Sequence, residues 1–253
     1  MARKIKQILE LTGQDGLLFA SWMTRQGLDS KQQFEHIQSG WLARVARGVY
    51  KIAGSHPTLY SAVSCYNIQL GKQCIVGARS AFEIRGMSHY VPMGKPVAYL
   101  FTDNNHKLPD WLLQGEWDMT VRYQTTSFLG EDLLGVQTMT VEGRPLLVSS
   151  AERAMLEWLN MPGINSSLLD VYYVMEMLST LRPKLIQQLL ERCTSVKAKR
   201  LFMYMAEKTH FPWVEDIDKT TIDFGSGRRM IVPTGKYIKQ YDMTVPKDLA
   251  EYE

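Results

Sequence analysis

The sequence predicts an α+β chain, an N-terminal winged helix-turn-helix followed by a larger α+β domain with a mixed sheet and helices. Three observations carry this. Short segments of helical spacing punctuated by glycines open the chain, and a basic hairpin ending Arg47-Gly48-Val49-Tyr50 follows them. Beyond Pro57, β-branched and aromatic runs give way after Ser149 to segments of helical spacing. At 253 residues the chain can bury a sizeable core and hold two domains, read as 1–56 and 57–253.

Ile5, Ile8, Leu9 and Leu11 recur at helical spacing, and Gly13 and Gly16 close that first segment. A second helix is expected over 17–25, with Leu17, Leu18, Trp22 and Met23 inward and Gly27 as its left-handed stop. Asp29 or Ser30 can cap a third helix over 30–39, since each has a Gln three positions later, the spacing of a capping box. Phe34 and Ile37 are its strongly apolar residues and are expected to anchor it. Lys31, Gln32, Gln33, Glu35, His36 and Gln38 are then left outside. A Gln-rich outer face suits base reading, because the side-chain amide matches the donor and acceptor of the adenine edge. The alternative is a solvated polar face.

Strands over 42–46 and 49–52, joined at Arg47-Gly48, complete the module as a wing that would bring Arg44, Arg47 and Lys51 to backbone phosphates. The residues expected to contact DNA are therefore Ser30, Lys31, Gln32, Gln33 and His36 on the helix, with Arg44, Arg47 and Lys51 on the wing. Charge supports this placement. Residues up to His56 hold eight Lys or Arg and four Asp or Glu, a net +4, leaving 21 basic against 22 acidic residues in the remainder.

Gly54-Ser55-His56-Pro57 is the expected linker. Helices are expected over 59–70 and 80–85, and strands over 97–101, 119–123 and 136–141. Helical spacing resumes around Leu156 and Leu159 and over 168–181, 185–190 and 196–205, with strands returning near Ile222 and Ile231. Ser149-x-x-Glu152 has capping-box spacing, and Arg153 and Glu157, one turn apart, can pair. Gly225-Ser226-Gly227-Arg228-Arg229 lacks the ending of a phosphate-binding P-loop and reads as a turn. Its arginines could join Lys197, Lys199 and Arg200 in a second basic patch, or the five could be solvated charges on unrelated faces.

Several function classes find no support. No apolar run approaches the roughly 18 to 20 residues that span a bilayer, and the N-terminus lacks the apolar stretch of a secretion signal, so a cytoplasmic protein is expected. Cys65, Cys74 and Cys193 have neither disulfide nor zinc spacing and are expected to be buried thiols. His36, His56, His89, His106 and His210 show no ligand spacing, and no GxSxG elbow is present. Asp103-Asn104-Asn105-His106, before Leu108-Pro109, reads as a loop. No catalytic residue, metal or cofactor is expected.

The run Gly40-Trp41-Leu42-Ala43-Arg44-Val45-Ala46-Arg47-Gly48-Val49-Tyr50 resembles the end of the winged helix in AbiEi-family antitoxins. Val76-Gly77-Ala78-Arg79-Ser80-Ala81 with Gly86, and Ser149-Ser150-Ala151-Glu152-Arg153-Ala154, are similar to later segments of the same family. So are Lys199-Arg200-Leu201-Phe202 and Asp223-Phe224-Gly225-Ser226-Gly227-Arg228. The resemblance implies a two-domain antitoxin of a bacterial abortive-infection toxin–antitoxin pair. Its winged helix would repress the pair's own promoter, and its C-terminal domain would counter a nucleotidyltransferase-like toxin without a stable complex. The second basic patch is then where antitoxin activity is expected. One small winged helix contacts few base pairs, so dimeric or cooperative binding to inverted repeats in double-stranded DNA is expected. The alternatives are an adaptor that binds its toxin or another partner directly through the winged helix or the C-terminal domain, and a solitary transcriptional regulator.

Overall fold

The structure, a computed structural model, describes residues 13, 15–87, 94–125, 127–130, 132–164 and 168–252. In chain order the first elements are β1 (Leu17–Phe19), α1 (Ala20–Arg25), α2 (Ser30–Gln38), β2 (Leu42–Ala46), β3 (Val49–Ile52) and α3 (Leu59–Leu70). Next come β4 (Ile75–Val76), α4 (Ala78–Ile84), β5 (Val97–Thr102), α5 (Asp110–Leu113), β6 (Thr120–Thr125), β7 (Val136–Val141) and β8 (Arg144–Ser149). The last are α6 (Ala151–Asn160), α7 (Leu168–Met175), α8 (Pro183–Arg192), α9 (Val196–Thr209), β9 (Arg229–Met230), β10 (Lys236–Ile238), β11 (Met243–Val245) and α10 (Lys247–Glu251).

These strands form three sheets, in the orders β1-β3-β2, β6-β5-β4-β8-β7 and β10-β11-β9. The first is antiparallel, with Leu18 opposite Tyr50 and Arg44 opposite Tyr50 on the other side. In the second, β5 runs parallel to β6 and β4 parallel to β8. The third mixes an antiparallel β10–β11 pair with a parallel β11–β9 pair. Helices and mixed sheets together make the α+β class that the sequence predicts.

Residues 17–19 form a strand where helical spacing predicts the start of a helix. A three-residue apolar run fits either state. Here the pairing of Leu17 with Lys51 and of Phe19 with Val49 decides it. The helix expected from Ile5 to Leu11 lies outside the described residues. β8 has no counterpart in the sequence reading. It follows β7 across Glu142-Gly143, both with positive φ (51° and 74°), as a tight hairpin turn requires. Near Ile222 there is a single helical turn, Lys219–Thr221, in place of a strand.

The described residues form two compact units. The first is made of the described residues within Met1–Ile75, Met93–Thr125 and Thr138–Leu147, and the second of those within Val76–Pro92, Thr126–Gln137 and Val148–Glu253. Within the first unit α3 returns to the winged helix, and the rings of Phe19, Tyr66, Trp111 and Trp117 meet in tilted and edge-on contacts with centroids 5.8 to 6.3 Å apart. In the second unit α6 packs between α4 and α9. Phe82 against Trp158 and Phe202 against Trp213 fill its core, with centroids 6.0 and 6.3 Å apart.

Candidate nucleic-acid interface

α1, the turn after it and α2 make the helix-turn-helix. Gly27, at φ 85°, lets the chain leave α1 and turn at once. Asp29 then caps α2 reciprocally. Its carboxylate accepts from the Gln32 N–H at 2.9 Å, and Gln32 Oε1 accepts from the Asp29 N–H at 3.2 Å. Leu18, Met23, Leu28 and Leu42 form the core beneath, with Trp22, Ile37 and Tyr50 packed against it.

Gln33 corrects the expected outer face. It is 5% exposed, and its amide nitrogen reaches the Leu28 carbonyl at 2.7 Å, Thr24 Oγ1 at 3.0 Å and the Ala20 carbonyl at 3.2 Å. It straps α2 to α1 and cannot present its amide to a base. Phe34, expected to anchor the helix, is 59% exposed instead. Ile37 faces the core, and residues three and four positions before it both flank that face. The polar strap at 33 took the inner place because three acceptors converge there. His36 is half-buried, and its Nε2 is enclosed without a hydrogen-bond partner among the described residues. Gln32 is held by the capping box. The exposed side chains of α2 are thus Ser30, Lys31, Phe34 and Gln38. Of these, Phe34 and Gln38 were not among the expected contacts. Gln38 could have been found from the helical period.

The wing is built as predicted, β2 and β3 closing at Gly48 with φ 74°. The Gly48 carbonyl accepts from the Ala20 N–H at 2.9 Å, which ties the hairpin tip to the start of α1. Arg44 and Arg47 are exposed, Arg44 beside a bulge between itself and Ala46. Lys51 is half-buried and donates to the Ser55 carbonyl at 2.8 Å, so part of its donor capacity serves the hairpin's exit. A recess of about 630 Å³ beside the wing is lined by Arg44, Lys51 and His56 together with Asp110 and Glu116. Its mixed charge makes it no phosphate cradle.

The second basic patch is not formed. Lys199 and Arg200 are 3% and 4% exposed. The Arg200 guanidinium donates to the carbonyls of Phe224 (2.9 Å), Gly225 (3.0 Å), Gly227 (2.9 Å) and Asp242 (3.1 Å), and so organises the glycine loop from inside. Lys197 donates to the Met161 carbonyl at 3.1 Å, and burial lowers its pKa. Arg228 lies 4.0 Å over the Tyr237 ring and 3.9 Å from Asp242. Arg228 is exposed, and Arg229, like Lys197, is half-buried. Acceptors that lie more than twenty residues downstream leave no periodic trace in the sequence.

Other segments of family-like sequence meet in a second buried network. Glu157 accepts from Arg153 at 2.8 Å, from the Ser149 hydroxyl at 3.0 Å and from the Ala78 N–H at 3.1 Å. Ala78 needs that hold, since its φ of 48° is unusual for a residue with a Cβ. Ser150, one position after the expected Ser149, caps α6. Glu152 pairs with Arg182 through two bonds of 2.9 and 3.0 Å. Burial works against the Glu152 charge, yet Arg182 and then Ser150 outweigh it and hold the carboxyl down at about 2.

Cys65, Cys74 and Cys193 are buried and unpaired with one another, and burial pushes their thiols up, Cys193 to about 11. Among the described residues no group of His, Cys, Asp or Glu could hold a metal ion. None of the helices among them is long and apolar enough to cross a membrane.

A helix-turn-helix, a wing on its C-terminal side and a β1 strand closing that wing define a winged-helix regulator by fold. Comparison with known proteins specifies it further. The chain belongs to the AbiEi antitoxin family of type IV toxin–antitoxin transcriptional regulators. Residues 1–93 match the model of the family's N-terminal domain, and residues 95–246 match that of the transcriptional regulator, AbiEi antitoxin, type IV toxin–antitoxin system. That family is not an enzyme class. The fold is similar to the crystal structure of the RV2827C protein from Mycobacterium tuberculosis, with a TM-score of 0.62 at 12% identity, covering 96% of this chain and 90% of that one. No curated protein matches the chain in sequence.

Proposed function

We propose that this chain is the antitoxin of its pair and the repressor of its own promoter, acting in the cytoplasm. The exposed face of α2 would enter the major groove of double-stranded DNA, with Lys31 beside it and Arg44 and Arg47 on flanking phosphates. The observation that carries the reading is that α2 is braced from within by Gln33 while its outer face and both wing arginines stay exposed. The net +4 of residues 1–56 fits this role. Residues 57–253 would counter a nucleotidyltransferase-like toxin without forming a stable complex, with Arg228 and Arg229 the basic residues left for that surface. Two copies, or cooperative pairs, would bind inverted repeats to reach useful specificity.

The test is a salt-titrated binding assay of the full chain on the DNA immediately upstream of its own reading frame, against scrambled duplex. Specific, salt-sensitive binding supports the repressor. Binding equal to that of scrambled duplex, together with co-purification of the neighbouring gene's product in high salt, would replace it with a toxin-binding adaptor.

A further inference from the structure

We propose that Phe34 reads thymine, its ring packing against the C5-methyl group in the major groove. This inference rests on the DNA-reading function above and names what α2 recognises. Three of the side chains expected to supply polar base contacts on this helix are engaged or enclosed. Gln32 closes the capping box, Gln33 straps α2 to α1, and the Nε2 atom of His36 is enclosed. What remains outward is Ser30, Lys31, Phe34 and Gln38, with Phe34 at 59% exposure. Nothing in the helix-turn-helix core needs that ring, because Ile37 and the Gln33 strap already close the inner face.

Chemistry selects the ligand. The thymine methyl is the one apolar group on a base edge in the major groove, and side chains including Phe recognise it by contact. Gln38 follows Phe34 by four residues, one turn along the same face. A Gln amide pairs with adenine N6 and N7, so the two side chains together match the two edges of A·T pairs. The cations Lys31, Arg44 and Arg47 that accompany Phe34 are exposed as well, which complements a phosphate-lined groove better than an apolar protein surface.

The test uses the full chain and the duplex upstream of its own reading frame, amplified with dTTP or with dUTP in its place. Uracil lacks only the methyl group. A methyl taken from water contributes about 0.8 kcal/mol, or about fourfold in Kd for each one in contact. The wild type should bind the thymine duplex about fourfold or more tightly than the uracil duplex. Phe34→Ala should bind both alike, near the wild-type affinity for uracil DNA, and Phe34→Leu should recover part of the difference. Equal discrimination by Phe34→Ala and the wild type overturns the inference, as does no discrimination by a wild type that still prefers upstream to scrambled DNA. In both cases the DNA-reading function stands. Loss of that preference on thymine DNA overturns both. Conversion of a dimer to a monomer by Phe34→Ala in sedimentation, with discrimination retained, would assign the ring to a contact between copies and overturn the inference.

Discussion

Gln69 stands in for a missing neighbour of the strand that holds Phe19. Its Oε1 accepts from the Phe19 N–H at 3.0 Å, and its Nε2 donates to the Leu17 carbonyl at 2.7 Å. β1 is an edge strand, so those two backbone groups have no strand to meet, and the side chain of α3 pairs them as a strand would. Gln69→Ala should lower stability by about 1–3 kcal/mol, because both groups would lie buried and unpaired. Urea unfolding should show an earlier midpoint at unchanged slope. An unaltered midpoint would mean that water replaces the amide without cost.

Gln33→Ala separates folding from recognition. Losing the strap should destabilise the chain by about 1–2 kcal/mol. At temperatures where the variant is folded, its preference among operator sequences should match the wild type. A changed preference at equal stability would return Gln33 to the groove.

The wing arginines make a contrasting pair. Arg44→Ala with Arg47→Ala should weaken binding to every sequence alike and flatten the log–log salt dependence by about two counterions, at about 0.9 per phosphate contact. Promoter repression should fall while protection from the toxin persists. If one salt titration overlays that of the wild type, the wing does not touch phosphate.

Glu152 sets an acid limit on the second unit. Its folded pKa of about 2 lies below the ordinary 4.5, so its contribution is complete above 4.5 and is lost as pH falls through about 2. Arg182 is largely exposed and solvent screens it, so Arg182→Ala should cost about 1–2 kcal/mol at neutral pH. The gap between variant and wild type should close across that window. A gap that is constant with pH would point to lost packing in place of lost charge pairing.

Arg200→Lys keeps the charge and loses the fork that serves four carbonyls. The loop 223–229 should become a site of limited proteolysis, with a loss of about 2 kcal/mol or more. A cleavage pattern identical to the wild type would show that one ammonium can satisfy the loop.

The hairpin and α3 were legible because their signals are local: Gly48 supplies the turn, and Thr58 caps α3 directly after the linker. β1 was not, since its partner β3 lies some thirty residues on and an apolar triplet has no period. On α2 the sequence placed the helix and its capping box correctly but inverted residues 33 and 34. Apolar content favours Phe inside, and only the convergence of three acceptors reveals Gln33 as the inner residue. Lys199 and Arg200 misled for a related reason. Charge reads as surface until the carbonyls that bury it are known.

The brace under α2 has an evolutionary consequence. Since Asp29, Gln32, Gln33 and Ile37 carry the folding of this helix, exchanges at Lys31, Phe34 and Gln38 cost the fold little. Under the proposed DNA-reading role, a lineage would reach a new promoter by altering these three positions, and related antitoxins would share one scaffold in a single cell without silencing one another's genes.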